Sequence, residues 1–168
     1  MKPATGVAMK ALKDSASPRP KPRGRNEPGP APQAVERRQV AALPFRKTAS
    51  GEIEILLITS RETGRFIIPK GWPMKRLSDS DAAAREAYEE AGVVGKVRRK
   101  PIGEYRYWKR LERSFELLAV DVYPLEVETQ RAEWPEKNAR RSGWLPQEDA
   151  ATLVDEPGLV TLIRNFKM

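Results

Sequence analysis

Large apolar side chains are almost absent from residues 1–34 and then arrive in short runs separated by polar turns. Residues 39–46 (QVAALPFR) and 52–59 (EIEILLIT) predict two strands around the polar turn 47–51. The run Phe66-Ile67-Ile68 predicts a third, ended by Pro69. Helical spacing takes over at 79–91, where Ala84, Ala87, Tyr88 and Ala91 form a packing stripe. Ser78 is its expected N-cap, Asp81 completes a capping box, and Gly92 is the stop. Strands are expected near 97–107 and 114–123, then a polar loop over 125–141. A short strand around Trp144 and helices near 147–154 and 157–166 complete the order. This pattern predicts an α/β domain over residues 35–168, a mixed β-sheet sandwiched between α-helices.

Residues 1–34 hold seven of the fifteen prolines and seven Lys or Arg against Asp14 and Glu27, a net +5 of the chain's +8. Such a segment buries too little to offset its ordering entropy, so a disordered basic, Pro-rich tail is expected. Its charge allows weak contact with nucleic acid or another polyanion. There is no apolar run of the roughly 20 residues that span a bilayer and no signal-like apolar region. The expectation is a cytoplasmic protein without a membrane partner.

The chain has no Cys and no His. That removes disulfides, thiolate nucleophiles, the commonest general base and the commonest transition-metal ligand. Catalysis falls to carboxylates, Lys, Tyr and hydroxyls, or to a metal held by oxygen, which favours Mg²⁺, Ca²⁺ or Mn²⁺. Glu86, Glu89 and Glu90 stand at i, i+3 and i+4 of the predicted helix, so their carboxylates share one face. A solvated acidic face is the ordinary explanation of such a cluster. Arg85 before it and the loop Pro69-Lys70-Gly71-Trp72 ahead of the helix shift the balance toward a cation site.

The stretch from Gly71 to Val93, GWPMKRLSDSDAAAREAYEEAGV, resembles the Nudix box, G-x5-E-x7-R-E-U-x-E-E-x-G-U with U apolar. Gly71, Arg85, Glu86, Glu89, Glu90 and Gly92 match fixed positions, and Ala87 and Val93 suit the apolar ones. At ordinary residue usage six such matches arise by chance at roughly 10⁻⁷ per starting position. One position departs: the box's first glutamate falls at Leu77, which bears on metal number and rate. The resemblance implies a Nudix-type fold and a pyrophosphohydrolase using Mg²⁺ or Mn²⁺. Gly71, Glu86, Glu89 and Glu90 would hold the metal, Glu89 and Glu90 would serve catalysis, and Arg85 would orient the glutamates. A base outside the box would come from Glu116, Glu133 or Glu136.

Beyond the box the chain is most similar to the branch of this family that hydrolyses diphosphoinositol polyphosphates and diadenosine polyphosphates. The residues that carry this are Arg37-Arg38 before a strand ending Phe45-Arg46, the Pro69-Lys70-Gly71 motif, and Trp134…Arg140-Arg141…Trp144 leading into Gln147-Glu148-Asp149. A small anionic diphosphate-containing substrate needs cations, and Arg37, Arg38, Arg46, Lys70, Arg140 and Arg141 are the candidates. Trp72 and Trp134 are candidates to stack on a nucleobase, though Trp in a small domain is more often core. Two other readings stay open: a polyanion-binding module of this fold without turnover, and a decapping-like enzyme acting on RNA ends.

Overall fold

Strands written as continuous apolar runs need cover on both faces of their sheet, and the fold supplies it. A computed structural model describes residues 37–168, so the expected tail over 1–34 lies outside the described residues. The elements are β1 (Arg37–Lys47), β2 (Ile53–Thr59), β3 (Phe66–Ile67), β4 (Lys70–Gly71), α1 (Asp79–Ala91), β5 (Val93–Val97), β6 (Gly103–Arg110), β7 (Phe115–Gln130), β8 (Ser142–Pro146), α2 (Gln147–Leu153) and α3 (Pro157–Asn165). The strands form one sheet in the order β3-β2-β1-β7-β5, with β4 on β1, β6 on β7 and β8 on β2. β1 and β7 run parallel, from Arg37 opposite Leu118 to Phe45 opposite Glu126, and the other pairs are antiparallel. The expected mixed sheet between helices is what forms.

Alternation along β1 divides the core in two. Ala41, Leu43 and Phe45 join Ile55, Leu57, Val120, Leu159 and Ile163 on the α2–α3 side. Val40 and Ala42 join Leu56, Ile58, Ala83, Ala87 and Leu125 under α1. The alanines let α1 lie close to the sheet, and this fixes where its glutamates emerge.

Several elements differ from the sequence expectation. The strand expected over 97–107 is two strands, because Arg98 to Ile102, with Pro101 among them, turns the chain between β5 and β6. β7 continues to Gln130 through what reads as loop, because its second half finds β5 as a partner from Val93 opposite Gln130 to Val97 opposite Leu125. β4 is too short to announce itself and forms because Lys70 and Gly71 meet Ala41 and Val40.

The caps of α1 are close to expectation. Ser78 Oγ accepts from the Asp81 amide at 3.2 Å. The Asp81 carboxylate receives the Ser78 hydroxyl at 2.7 Å, so the box closes between side chains and not onto the Ser78 amide. Gly92 takes the left-handed conformation at φ 70° and donates to the Ala87 and Tyr88 carbonyls. A β-carbon there would stand 2.5 Å from the Trp134 ring, so this position is closed to any side chain.

Candidate active site

The box segment folds as strand, loop and helix, which sets β4 against the acidic face of α1. The backbone amide of Lys70 donates to Glu90 Oε2 at 3.0 Å. A β-carbon on Gly71 would lie 2.1 Å from the Glu86 carboxyl group, so a side chain there would displace Glu86 from its present position. Together these elements floor a cleft of about 480 Å³ whose walls include Arg61, Arg65, Tyr107, Trp108, Lys109, Arg110, Glu136 and Arg140.

Arg140 organises the floor. Its side chain is 7% exposed and pairs with Glu90, with Glu136 at 2.7 Å and with the Thr59 carbonyl at 3.1 Å. Glu90 and Glu136, from a helix and a distant turn, are thereby drawn together. Glu89 is held by Arg85 at 2.6 Å. The Glu86 side chain makes no hydrogen bond or close ion pair with any described residue, and Arg140 attracts it only at longer range. Burial first, and then repulsion from Glu90, Glu89 and Glu136, pushes its carboxyl up to about 7. Glu90 is also raised, by burial, against the opposing pull of Arg140. Lys70 is lowered, chiefly by burial, although Glu90 and Glu156 favour its charge.

A divalent cation suits this donor set in chemistry and charge. The donors are all oxygen, the carboxylates repel one another, and the Glu86 carboxylate has no close ion-pair partner among the described residues. Among the described residues no three acidic side chains are arranged to hold an ion as they stand. Glu89 and Glu90 are instead occupied by Arg85 and Arg140.

The expected substrate-binding cations part company. Arg37 and Arg38 are neighbours in sequence but point to opposite faces of β1. Arg37 stands 4.4 Å over the Trp72 ring at the cleft rim and pairs with Glu116 at 3.2 Å. Arg38 pairs with Asp121 and approaches Asp79 at 3.9 Å, by the start of α1, and is no part of the cleft wall. Arg46, at the far end of β1, bonds Glu54 at 2.7 Å and stands 4.2 Å over Trp144. Arg141 docks by its backbone to Thr59 and turns its side chain outward, and Arg140 is engaged by glutamates. Lys70 and Arg140 are the two of the six that line the cleft.

Of the three candidate bases, Glu136 alone lines the cleft. Glu133 is 82% exposed and bonds Lys137, and Glu116 is paired with Arg37. Trp72 lines the cleft, whereas Trp134 packs beneath Gly92. Leu77 lies in a different hollow, with Asp81, Arg85, Tyr88, Val94 and Leu125, so its side chain leaves no gap in the cleft wall.

Sequence reading missed Arg65 and Glu156, a pair at 3.0 Å in which Glu156 is buried and ties the cleft wall to the start of α3. It also missed the bond from the Tyr107 hydroxyl to Gln39 Oε1 at 2.7 Å. The alternation Tyr105-Arg106-Tyr107-Trp108-Lys109-Arg110, basic residues among aromatic ones, was the available signal for that wall.

Residues 35–166 match the family model described as the NUDIX domain. The chain is 35% identical over 121 residues to Nudix hydrolase 21, chloroplastic, of Arabidopsis thaliana, a match spanning 70% of this chain and 59% of that protein. It is 33% identical over 116 residues to diphosphoinositol polyphosphate phosphohydrolase 2 of Rattus norvegicus, over 68% of this chain and 60% of the relative. The matched region thus spans about three fifths of either relative. Among solved structures, an Ap4A hydrolase from C. elegans in a binary complex superposes with a TM-score of 0.56 at 21% identity, covering 76% of this chain and 92% of that one. That likeness is one of fold.

Proposed function

The chain belongs to the Nudix family, and from that premise we propose that it hydrolyses a phosphoanhydride bond in a diphosphate-containing substrate with Mg²⁺ or Mn²⁺. The observation that carries this reading is Glu86, a carboxylate beside Gly71 with no close ion-pair partner among the described residues, in a cleft that also holds Glu90 and Glu136. The proposed substrate is a diphosphoinositol polyphosphate or a dinucleoside polyphosphate. The first is named in a relative this chain resembles in sequence, and a hydrolase of the second kind is named in a structure it resembles in fold.

Glu86, Glu89 and Glu90, with the Gly71 carbonyl, would hold the cation, which when bound neutralises the diphosphate and lowers the pKa of a water. Arg140 keeps Glu90 and Glu136 together at the floor, and Glu136 is the carboxylate we assign to accept the proton of the attacking water. Arg85 fixes the rotamer of Glu89 through its 2.6 Å bond. Arg61, Arg65, Lys70, Lys109 and Arg110 line the walls and would bind the flanking phosphates.

The test is product formation followed by chromatography (nucleotides, sugar phosphate or orthophosphate) with the full chain against diadenosine polyphosphates, nucleoside diphosphate sugars, capped RNA and diphosphoinositols, with Mg²⁺ or Mn²⁺ and after chelation. Turnover of at least one small diphosphate that disappears with chelator is expected. Turnover that survives chelation, or none on any member, removes this reading.

A further inference from the structure

Charge at the cleft is set from behind its wall as well as along it. The lining holds six Lys or Arg against Glu62, Glu86, Glu90 and Glu136, a formal excess of two. Glu156 lies outside that lining, 6% exposed, and bonds Arg65 at 3.0 Å, which brings the excess down to one. It occupies the N-cap position of α3, yet its side chain makes no capping bond. A bridge between Phe66 and Val154 holds the segment before α3 against β3, next to Arg65. Glu156 Oε2 is buried without a hydrogen-bond partner among the described residues. A carboxylate buried with one guanidinium adds little net stability, so what Glu156 contributes is the charge it brings to the wall.

The cations differ in how far they are free to balance a ligand. Releasing Arg65 or Arg140 would strand a buried carboxylate, so both keep their glutamates. The Arg61 pair with Glu136 is 3.6 Å long on a side chain 64% exposed, and it yields easily. Lys109 and Arg110 have no carboxylate partner among the described residues, and Lys70 lies in the fields of Glu90 and Glu156. From this distribution we propose that Glu156 determines specificity: it offsets Arg65, so that the cleft takes a short linear phosphate chain, as in a dinucleoside polyphosphate, in preference to a ring crowded with phosphates. A diphosphoinositol polyphosphate carries about twice the charge of a dinucleoside tetraphosphate or more. Each added charge meets a wall with little excess to balance it. The assignment rests on the reading of the cleft as a phosphoanhydride hydrolase site and selects between its two substrates.

Steady-state kinetics with Mg²⁺ on the full chain, using diadenosine tetraphosphate and a diphosphoinositol polyphosphate, test it. Wild-type protein should favour the dinucleotide in kcat/KM by about ten-fold or more. Glu156→Gln keeps an acceptor for Arg65 and removes the charge. It should lower KM about ten-fold for the diphosphoinositol and about two-fold for the dinucleotide, with the difference shrinking at high salt. Glu156→Asp should keep the wild-type selectivity. Glu156→Met, of similar volume and without charge, takes the place of Glu156→Gln should that variant not fold, and is held to the same outcomes. A rise in KM on both substrates, equal shifts, a gain that salt leaves intact, or a wild-type preference for the diphosphoinositol overturns the assignment. Wild-type protein that cleaves neither substrate defeats the hydrolase reading, and calorimetry then judges Glu156 alone. Glu156→Gln must tighten inositol hexakisphosphate about ten-fold and inorganic tripolyphosphate by about three-fold at most. Any other pattern overturns the proposal.

Discussion

The two ends of β1 are built alike. At one, Arg37 stands 4.4 Å over Trp72 and bonds Glu116 at 3.2 Å. At the other, Arg46 stands 4.2 Å over Trp144 and bonds Glu54 at 2.7 Å. An arginine at a strand end lays its guanidinium on a tryptophan and gives one edge to a carboxylate, because that satisfies its donors without desolvating its charge. The construction carries no function in itself. What separates the two ends is the neighbourhood: Trp72 shares a cleft with Glu86, Glu90 and Arg140. Trp144 packs against the core under α1.

The largest effect that tests this contrast is on turnover. Glu90→Gln should lower kcat by about 10²-fold through loss of a cation ligand. Glu54→Gln, the carboxylate at the other end, should leave kcat within about two-fold. Equal losses in steady-state assays would erase the distinction. Stability separates the ends next. Arg140→Ala strands two carboxylates, one of them buried, and should cost about 3 kcal/mol by urea titration. Arg46→Ala breaks an exposed pair and should cost about 1 kcal/mol or less. A smaller effect lies in KM. Arg37→Ala should raise it about five-fold for a tetraphosphate substrate, more at low salt, with Arg46→Ala showing no change. An equal rise in both would mean that the protein's general field, and not the rim, attracts the substrate.

The smallest effect concerns pH in metal-free protein. The folded state raises the Glu86 carboxyl to about 7 from an ordinary value near 4.5. The stability linked to its proton is therefore full below the ordinary value and lost as pH rises through about 7. Chelated protein should melt lower at pH 8 than at pH 6, and Glu86→Gln should flatten that difference. A steeper slope in Glu86→Gln would contradict the burial and repulsion assigned to this group.

What the sequence made legible was local. Ser78 and Gly92 bound α1 because caps act within a few residues, and the packing stripe of α1 shows in its alanines. Spacing along a helix also put Glu86, Glu89 and Glu90 on one face. Partners set by strand pairing were not legible. Arg37 meets Glu116 across 79 positions, and Arg140 meets Glu90 across 50. Arg37 and Arg38, both candidate cations and neighbours in sequence, part for a simple reason, since strand residues alternate faces. Glu136 differed from Glu133 and Glu116 only through where a later turn docks, which no periodicity encodes. Trp108 and Phe115 read as ordinary strand residues until their exposure was known.

The fifty positions that separate Arg140 from Glu90 also order events in time. As the chain is synthesised, α1 is complete long before the segment bearing Arg140 exists, so Glu90 waits without its guanidinium. The clasp closes only when residues 136–141 settle against Thr59, a contact that follows closure of a long loop. A chain cut short before that point keeps the whole glutamate motif and yet lacks the geometry that gathers it. Arg140 thus works as a completion signal: the cleft is finished only when the chain through Arg141 has been made and has docked on Thr59.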